Sequence, residues 1–236
     1  MLRDVDIKDI WDGRFYGAEE KVRVGCNACE GCSDCCRTTG DSIILDPYDL
    51  YQLNKGTGLT FTEMIEKQIE IRSVDGMILP NIMEHDEARP EREDGCPFLN
   101  EKGRCSIYLH RPGFCRLFPV GRYYTGEPER MFRYFVQKDE CTKKNSPRYK
   151  VRLKDWLGIP ELKKYEAYIN RWHYFLKDVS AGLNLMSESA REQIARYILQ
   201  VFYVTPYHVQ ADFYGQFEMR MNKVRAELVA LGIRLP

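Results

Sequence analysis

The chain has no apolar run approaching the roughly 18 residues that would cross a bilayer, so no membrane partner is expected. Its 35 Lys and Arg are balanced by 35 Asp and Glu. No global charge bias therefore draws it towards nucleic acid or an anionic membrane. It also lacks a Gly-x-Gly-x-x-Gly fingerprint, a P-loop lysine and a Gly-x-Ser-x-Gly elbow, which leaves the common dinucleotide, nucleotide and hydrolase classes without motif support. The opening Met-Leu-Arg-Asp-Val-Asp-Ile-Lys-Asp is acidic and has no hydrophobic stretch, unlike a secretory signal. Internal repeats and low-complexity tracts are absent. Histidine is scarce, with four residues. His110, His173 and His208 are not in ligand-spaced pairs, so they and His85 are expected to be structural or superficial.

Cysteine is missing from everything after Cys141, and that absence directs attention to where it is found. There are nine in all. Cys26, Cys29, Cys32, Cys35 and Cys36 crowd one loop; Cys96, Cys105, Cys115 and Cys141 follow at wide intervals. With no signal the default compartment is the cytoplasm, where thiols stay reduced. An odd number also fits poorly with a closed disulfide set. Metal ligation is the better account, because such thiol density has no packing rationale. Thiolates are soft anionic ligands that suit Zn(II), Cu(I) and iron–sulfur clusters. The spacing Cys26-x2-Cys29-x2-Cys32-x3-Cys36 coincides with the C-x2-C-x2-C-x3-C run of bacterial ferredoxins. Arg37 stands where that run has proline, and Cys35 is an additional thiol beside Cys36. Adjacent cysteines project differently, so the two could serve separate sites.

The remaining chain divides by pattern. Residues 1–25 are polar with scattered aromatics (Trp11, Phe15, Tyr16), suggesting a packed arm or a short helix. Ser42–Leu45 is a strand candidate. Asp46 and Pro47 predict the cap and first turn of a helix carrying Leu50, Tyr51 and Leu53, closed by Gly56 and Gly58. Thr60-Phe-Thr-Glu63 is a capping box for a second helix, with Ile65, Ile69 and Ile71 available to pack. Glu84–Asp94 is a charged linker. Asn100–Arg104 predicts a turn that brings Cys96 and Cys105 together, and Pro112 suits the first turn of a short helix bearing Cys115. Met131–Val136 is a strand candidate.

Leu162 to Val179, then Ile194 to Phe202, then Phe213 to Leu231 repeat at helical spacing. Ser189-Ala-Arg-Glu192 is a capping box for the second of these, and Gly232 closes the third. Trp156, Tyr165, Tyr168, Trp172, Tyr174 and Phe175 are better explained as helical core than as a substrate groove. The basic stretch from Lys143 to Lys154 is expected to be a solvated face. Arg111 and Arg116 flank Cys115. They either make salt bridges or hydrogen bonds to local carbonyls, or they bind the cofactor by offsetting the charge of a thiolate-rich centre, or they bind an anionic substrate.

The chain resembles the YkgJ-like cysteine-cluster family, proposed zinc- or iron-chelating domains with a CxxCxxCC motif. That motif is here Cys29-Glu-Gly-Cys32-Ser-Asp-Cys35-Cys36. The resemblance continues through Ile43-Ile-Leu-Asp-Pro-Tyr-Asp-Leu-Tyr-Gln-Leu, Cys96-Pro-Phe-Leu, Gly103-Arg-Cys105-Ser-Ile-Tyr, Arg111-Pro-x-x-Cys115-Arg and Phe118-Pro. It implies metal binding by Cys29, Cys32, Cys35, Cys36, Cys96, Cys105, Cys115 and Cys141, with Cys26 a further candidate outside the eight-residue motif. The family is also similar to flagellin lysine N-methylases, which are linked to an iron–sulfur centre. That similarity raises iron–sulfur over zinc and suggests S-adenosylmethionine-dependent protein methylation as an alternative activity.

The expected architecture is mainly α with minor β. An irregular α+β cysteine module (20–150) would be nucleated by metal, and a C-terminal region of antiparallel helices (151–236) would pack on it. The leading functional expectation is a cysteine-ligated iron–sulfur protein, with one or two 4Fe-4S clusters. It would serve electron transfer or an accessory redox step for a partner enzyme, docked on the aromatic helical face. A zinc-stapled interaction domain without redox chemistry is the other alternative. The sequence names no catalytic residue, and it does not fix the oligomeric state.

Overall fold

The computed structural model describes residues 7–25, 32–37, 42–83, 95–138, 141 and 149–235. It is an α+β protein, 47% helical and 20% strand, with small antiparallel sheets. Cys26 and Cys29 lie outside the described residues, as do the Glu84–Asp94 linker with His85, and Lys143 and Lys144.

The N-terminal arm is corrected to one helical turn, Ile7–Ile10 (α1), followed by strands Trp11–Tyr16 (β1) and Lys21–Gly25 (β2). The reason is pairing with distant sequence. Phe15 and Tyr16 lie opposite Phe135 and Tyr134, and Val22 lies opposite Val151. Cross-strand pairs of this kind stabilise a sheet without leaving a local signature.

Ile44 makes a single bridge to Asn81 rather than forming a strand. Asp46 then caps the helix Pro47–Thr57 (α2), which ends at Gly58 with φ 74°. That left-handed conformation is one glycine adopts without strain. Gly56 lies inside the helix.

Thr60 and Glu63 form the expected capping box, but the helix is only Phe61–Ile65 (α3). Ile69 and Ile71 belong instead to a strand, Ile69–Val74 (β3), hairpinned to Met77–Ile82 (β4). Asp75 and Gly76 make the turn, both at positive φ. An Asp-Gly pair between apolar runs is a strong hairpin signal, and it outweighs the helical spacing of the isoleucines.

Further on, Gly113–Leu117 (α4) carries Cys115, Val120–Tyr124 (β5) leads to Phe132–Gln137 (β6), and Tyr149–Arg152 (β7) to Leu153–Leu157 (α5). The sheets are β1-β6-β5, β2-β7 and β3-β4.

Three long helices follow, Leu162–Leu183 (α6), Glu188–Leu199 (α7) and Phe213–Ala230 (α8). The α7 cap is Ser187, whose hydroxyl accepts from Ala190 N at 3.4 Å, so the helix opens two residues before the expected Ser189 box. This start puts Glu188 in the first turn, where its charge favours the helix dipole. Asp212 caps α8, and Gly232 lies at φ 87° after its end.

Side-chain contacts fix the helix directions. Tyr168 meets Phe213 and Phe217, Arg171 pairs with Glu218, and Gly182 lies against Ile233, so α6 and α8 run the same way. Tyr197 bonds Glu227 while Arg220 bonds Val201 O, so α7 runs against both.

Tyr165, Tyr168, Trp172, Tyr174 and Phe175 are all buried. The aromatic face of α6 is therefore core, and the expectation that it receives a partner is corrected: it is covered by α2, α8 and the turn after α7. Among the described residues, no helix is long and apolar enough to cross a membrane.

Candidate metal centre

Three separate segments bring cysteines together. In the first, Cys36 N donates to Ser33 O at 2.9 Å and closes a tight turn over Asp34–Cys36. The Cys35 and Cys36 thiols lie within hydrogen-bonding reach of each other.

The second segment docks on the first through Cys96 N, which donates to Cys36 O at 2.7 Å. A Cβ on Gly95 would stand 3.3 Å from that same carbonyl, and Gly95 has φ 140°, so glycine permits the approach. The predicted turn then returns the chain. Asn100 Oδ1 accepts from Lys102 N at 3.0 Å and Arg104 N at 2.9 Å, and Cys105 bridges Leu99.

The third segment is α4. Its first residue, Gly113, donates its N–H to Asp49 Oδ1 at 2.8 Å. Arg116 secures the other end. Its guanidinium donates to the carbonyls of Arg111 (3.1 Å), Gly158 (3.1 Å), Leu157 (3.4 Å) and Leu109. Backbone carbonyls thus occupy the Arg116 donors, while its charge still opposes the rise of the Cys105 thiol. Arg111 differs. Its guanidinium lies 4.1 Å from the Tyr108 ring, and its Nε is buried without a hydrogen-bond partner.

Burial pushes the Cys115 thiol well above its ordinary range, and negative charge at Cys96, Asp49, Cys105 and Cys35 pushes it further. The Cys35 thiol is raised by its bond to Cys36 and then by burial. Burial raises Cys105 as well, opposed by an Ile107 backbone bond and by the charges of Arg111, Arg104 and Arg116. Without a cation these thiols keep their protons at neutral pH. A coordinated metal inverts that balance, because a ligating thiol is deprotonated outright.

Cys35, Cys36, Cys96, Cys105 and Cys115 thus share one neighbourhood. All seven described cysteines are half-buried, and they form no disulfide. Among the described residues, no three Cys, His, Asp or Glu side chains are disposed to hold an ion together. The donor set nevertheless suits a soft metal, and the buried Arg111 Nε supplies a donor that an anionic metal–thiolate centre could accept.

None of the described histidines joins the cysteines. His110 Nδ1 bonds Gln52 Oε1 at 3.0 Å, and the His208 backbone exchanges hydrogen bonds with the Gln216 side chain. His173 stacks on Tyr124 at 3.5 Å between ring centroids. Burial, with the nearby charges of Lys177, Arg122 and Arg130, lowers its imidazole from 6.5 to about 3. Below pH 6.5 the unfolded chain takes up this proton first, so stability present above that pH declines as pH falls towards 3. His173→Phe should flatten the fall in the urea midpoint between pH 6.5 and 4. An unaltered slope would assign the acid sensitivity to other groups.

The residue that sequence reasoning missed is Asp49. It reads locally as the third residue of a capped helix. No spacing rule connects it to a glycine 64 positions away.

Sulfur donors from three turns, set in an α+β frame beside buried arginine, define the class: a thiol-cluster protein. Within that class the chain belongs to the CxxCxxCC family, whose model, described as "Putative zinc- or iron-chelating domain", matches residues 28–146. The description supports metal binding through the cysteine motif, by zinc or iron. No curated protein and no solved structure matches the chain, so these comparisons lend no support to a relation with flagellin lysine N-methylases.

Proposed function

We propose that the chain is a cysteine-ligated iron–sulfur protein, carrying one or two 4Fe-4S clusters, that passes electrons to or from a partner enzyme in the cytoplasm. The observation that carries this reading is the gathering of Cys35, Cys36, Cys96, Cys105 and Cys115 beside the unpartnered Nε of Arg111. All nine cysteines are the candidate ligand pool, Cys26, Cys29, Cys32 and Cys141 completing it. Thiolate density favours a cluster, because bridging sulfide lets one short loop and two turns serve several irons. The bound cluster would supply one-electron chemistry. The chain's own part is to hold the thiols, to limit water around them, and to offset their charge with Arg111 and Arg116. In this account residues 20–150 form the metal module and 151–236 brace it.

The test is anaerobic purification followed by an absorption spectrum, with iron, zinc and acid-labile sulfide analysis. A brown protein with a broad visible band and sulfide matching iron is expected. Colourless protein carrying zinc and no sulfide would overturn the redox reading and leave a zinc-stapled interaction domain.

A further inference from the structure

We propose that Asp49 is a positioning residue for the metal–thiolate centre, acting through the Gly113 backbone to set where Cys115 stands. The inference rests on the metal-binding part of the reading above.

Asp49 is 2% exposed. A carboxylate taken so far out of water is costly unless hydrogen bonds satisfy it. One of its bonds is local: Oδ2 accepts from Asp46 N at 3.0 Å, closing the α2 capping box. The other reaches across the molecule, from Oδ1 to Gly113 N at 2.8 Å, and nothing in α2 requires it. At the receiving end a Cβ on Gly113 would lie 2.4 Å from Tyr165 Oη and 3.6 Å from Asp49 Oδ1. The absence of a side chain there is what lets the backbone reach the carboxylate.

The helix so held is α4, five residues long with Cys115 at its middle. A helix that short has no stability of its own, so its position is set by what ties it down. The ties are Asp49 at the first residue and Arg116 near the last. Asp49 is itself anchored. Its N–H donates to Asp46 Oδ1 at 2.9 Å, and that same oxygen accepts from Tyr168 Oη at 2.9 Å. A continuous hydrogen-bonded path therefore joins Tyr168 of α6 to the start of α4, the helix bearing Cys115. Burial, and then the neighbouring Asp46, push the Asp49 carboxyl well above the usual carboxylate range, and any charge on it works against a thiolate at Cys115, so its contribution to the centre is geometric.

Two measurements on the full chain test this. In metal-free protein, the rate of Cys115 alkylation by iodoacetamide, normalised to Cys32 and read by mass spectrometry, should rise about tenfold in Asp49→Ala. It should rise less in Asp49→Asn, whose amide oxygen can still accept from Gly113 although its NH2 group cannot accept from Asp46 N. With Co2+ as the probe, Asp49→Ala should bind about 10–100-fold more weakly than wild type, with an altered visible spectrum. Asp49→Asn should recover part of the affinity, because it retains the Gly113 bond and loses the one from Asp46 N. Met221→Ala, a buried change in α8 away from Gly113, should lower stability without moving either readout. Wild-type alkylation and cobalt binding in Asp49→Ala would overturn this inference and leave the metal reading intact. Absence of any cobalt–thiolate band in the wild type would overturn both.

Discussion

Cys115→Ser is expected to lower metal affinity by more than about 100-fold, exceeding the 10–100-fold typical of residues that merely support a ligand. Charges on Cys96, Cys105 and Cys35 would all raise the Cys115 thiol, so it is the cysteine most exposed to its neighbours' ionisation. Serine keeps the shape but offers a hard oxygen that rarely ionises, a poor donor to zinc or iron. The comparison that isolates ligation is thermal. With metal held at a hundredfold excess over the wild-type dissociation constant, binding adds about 2.7 kcal/mol to the stability of the native state. For a chain of this size each kcal/mol moves Tm by about 2–4 °C, so the variant should melt about 5–11 °C lower. Stripped of metal, variant and wild type should melt together within a degree or two. A deficit of equal size in both states would show that Cys115 serves packing and not coordination.

Phe217→Ala should have the other large effect, on stability. Phe217 is fully buried and touches the rings of Tyr168, Trp172, Phe202 and Phe213. It joins α6, α8 and the turn that follows α7. Truncating such a phenylalanine costs about 3–5 kcal/mol, as lost transfer energy plus a cavity that the surrounding rings cannot collapse into. The expected fall in Tm is about 6–20 °C, measured by scanning calorimetry. Met219, two residues along the same helix, is 69% exposed, and Met219→Ala should stay within about 0.5 kcal/mol of wild type. Equal behaviour of the two variants would contradict the assigned faces of α8.

What the sequence determined by itself were features whose physics is local. The Asp46 cap, the Thr60–Glu63 capping box, the Asn100–Arg104 turn and the three long helices follow from hydrogen bonds and periodicities spanning a few residues. The CxxCxxCC loop announced metal chemistry because thiolate density has no other economical explanation. The tertiary structure alone decided the rest. β1 and β2 exist because β6 and β7 lie beside them, more than a hundred residues away in sequence. The aromatic stripe of α6 is core because α2 and α8 cover it, which no helical spacing can tell from a docking face. Asp49 is locally only the third residue of a capped helix, and it is the fold that carries Gly113 to within 2.8 Å of it. A capping signal is written in neighbouring residues, whereas the partner for a cap's second oxygen is chosen by how the whole chain closes on itself.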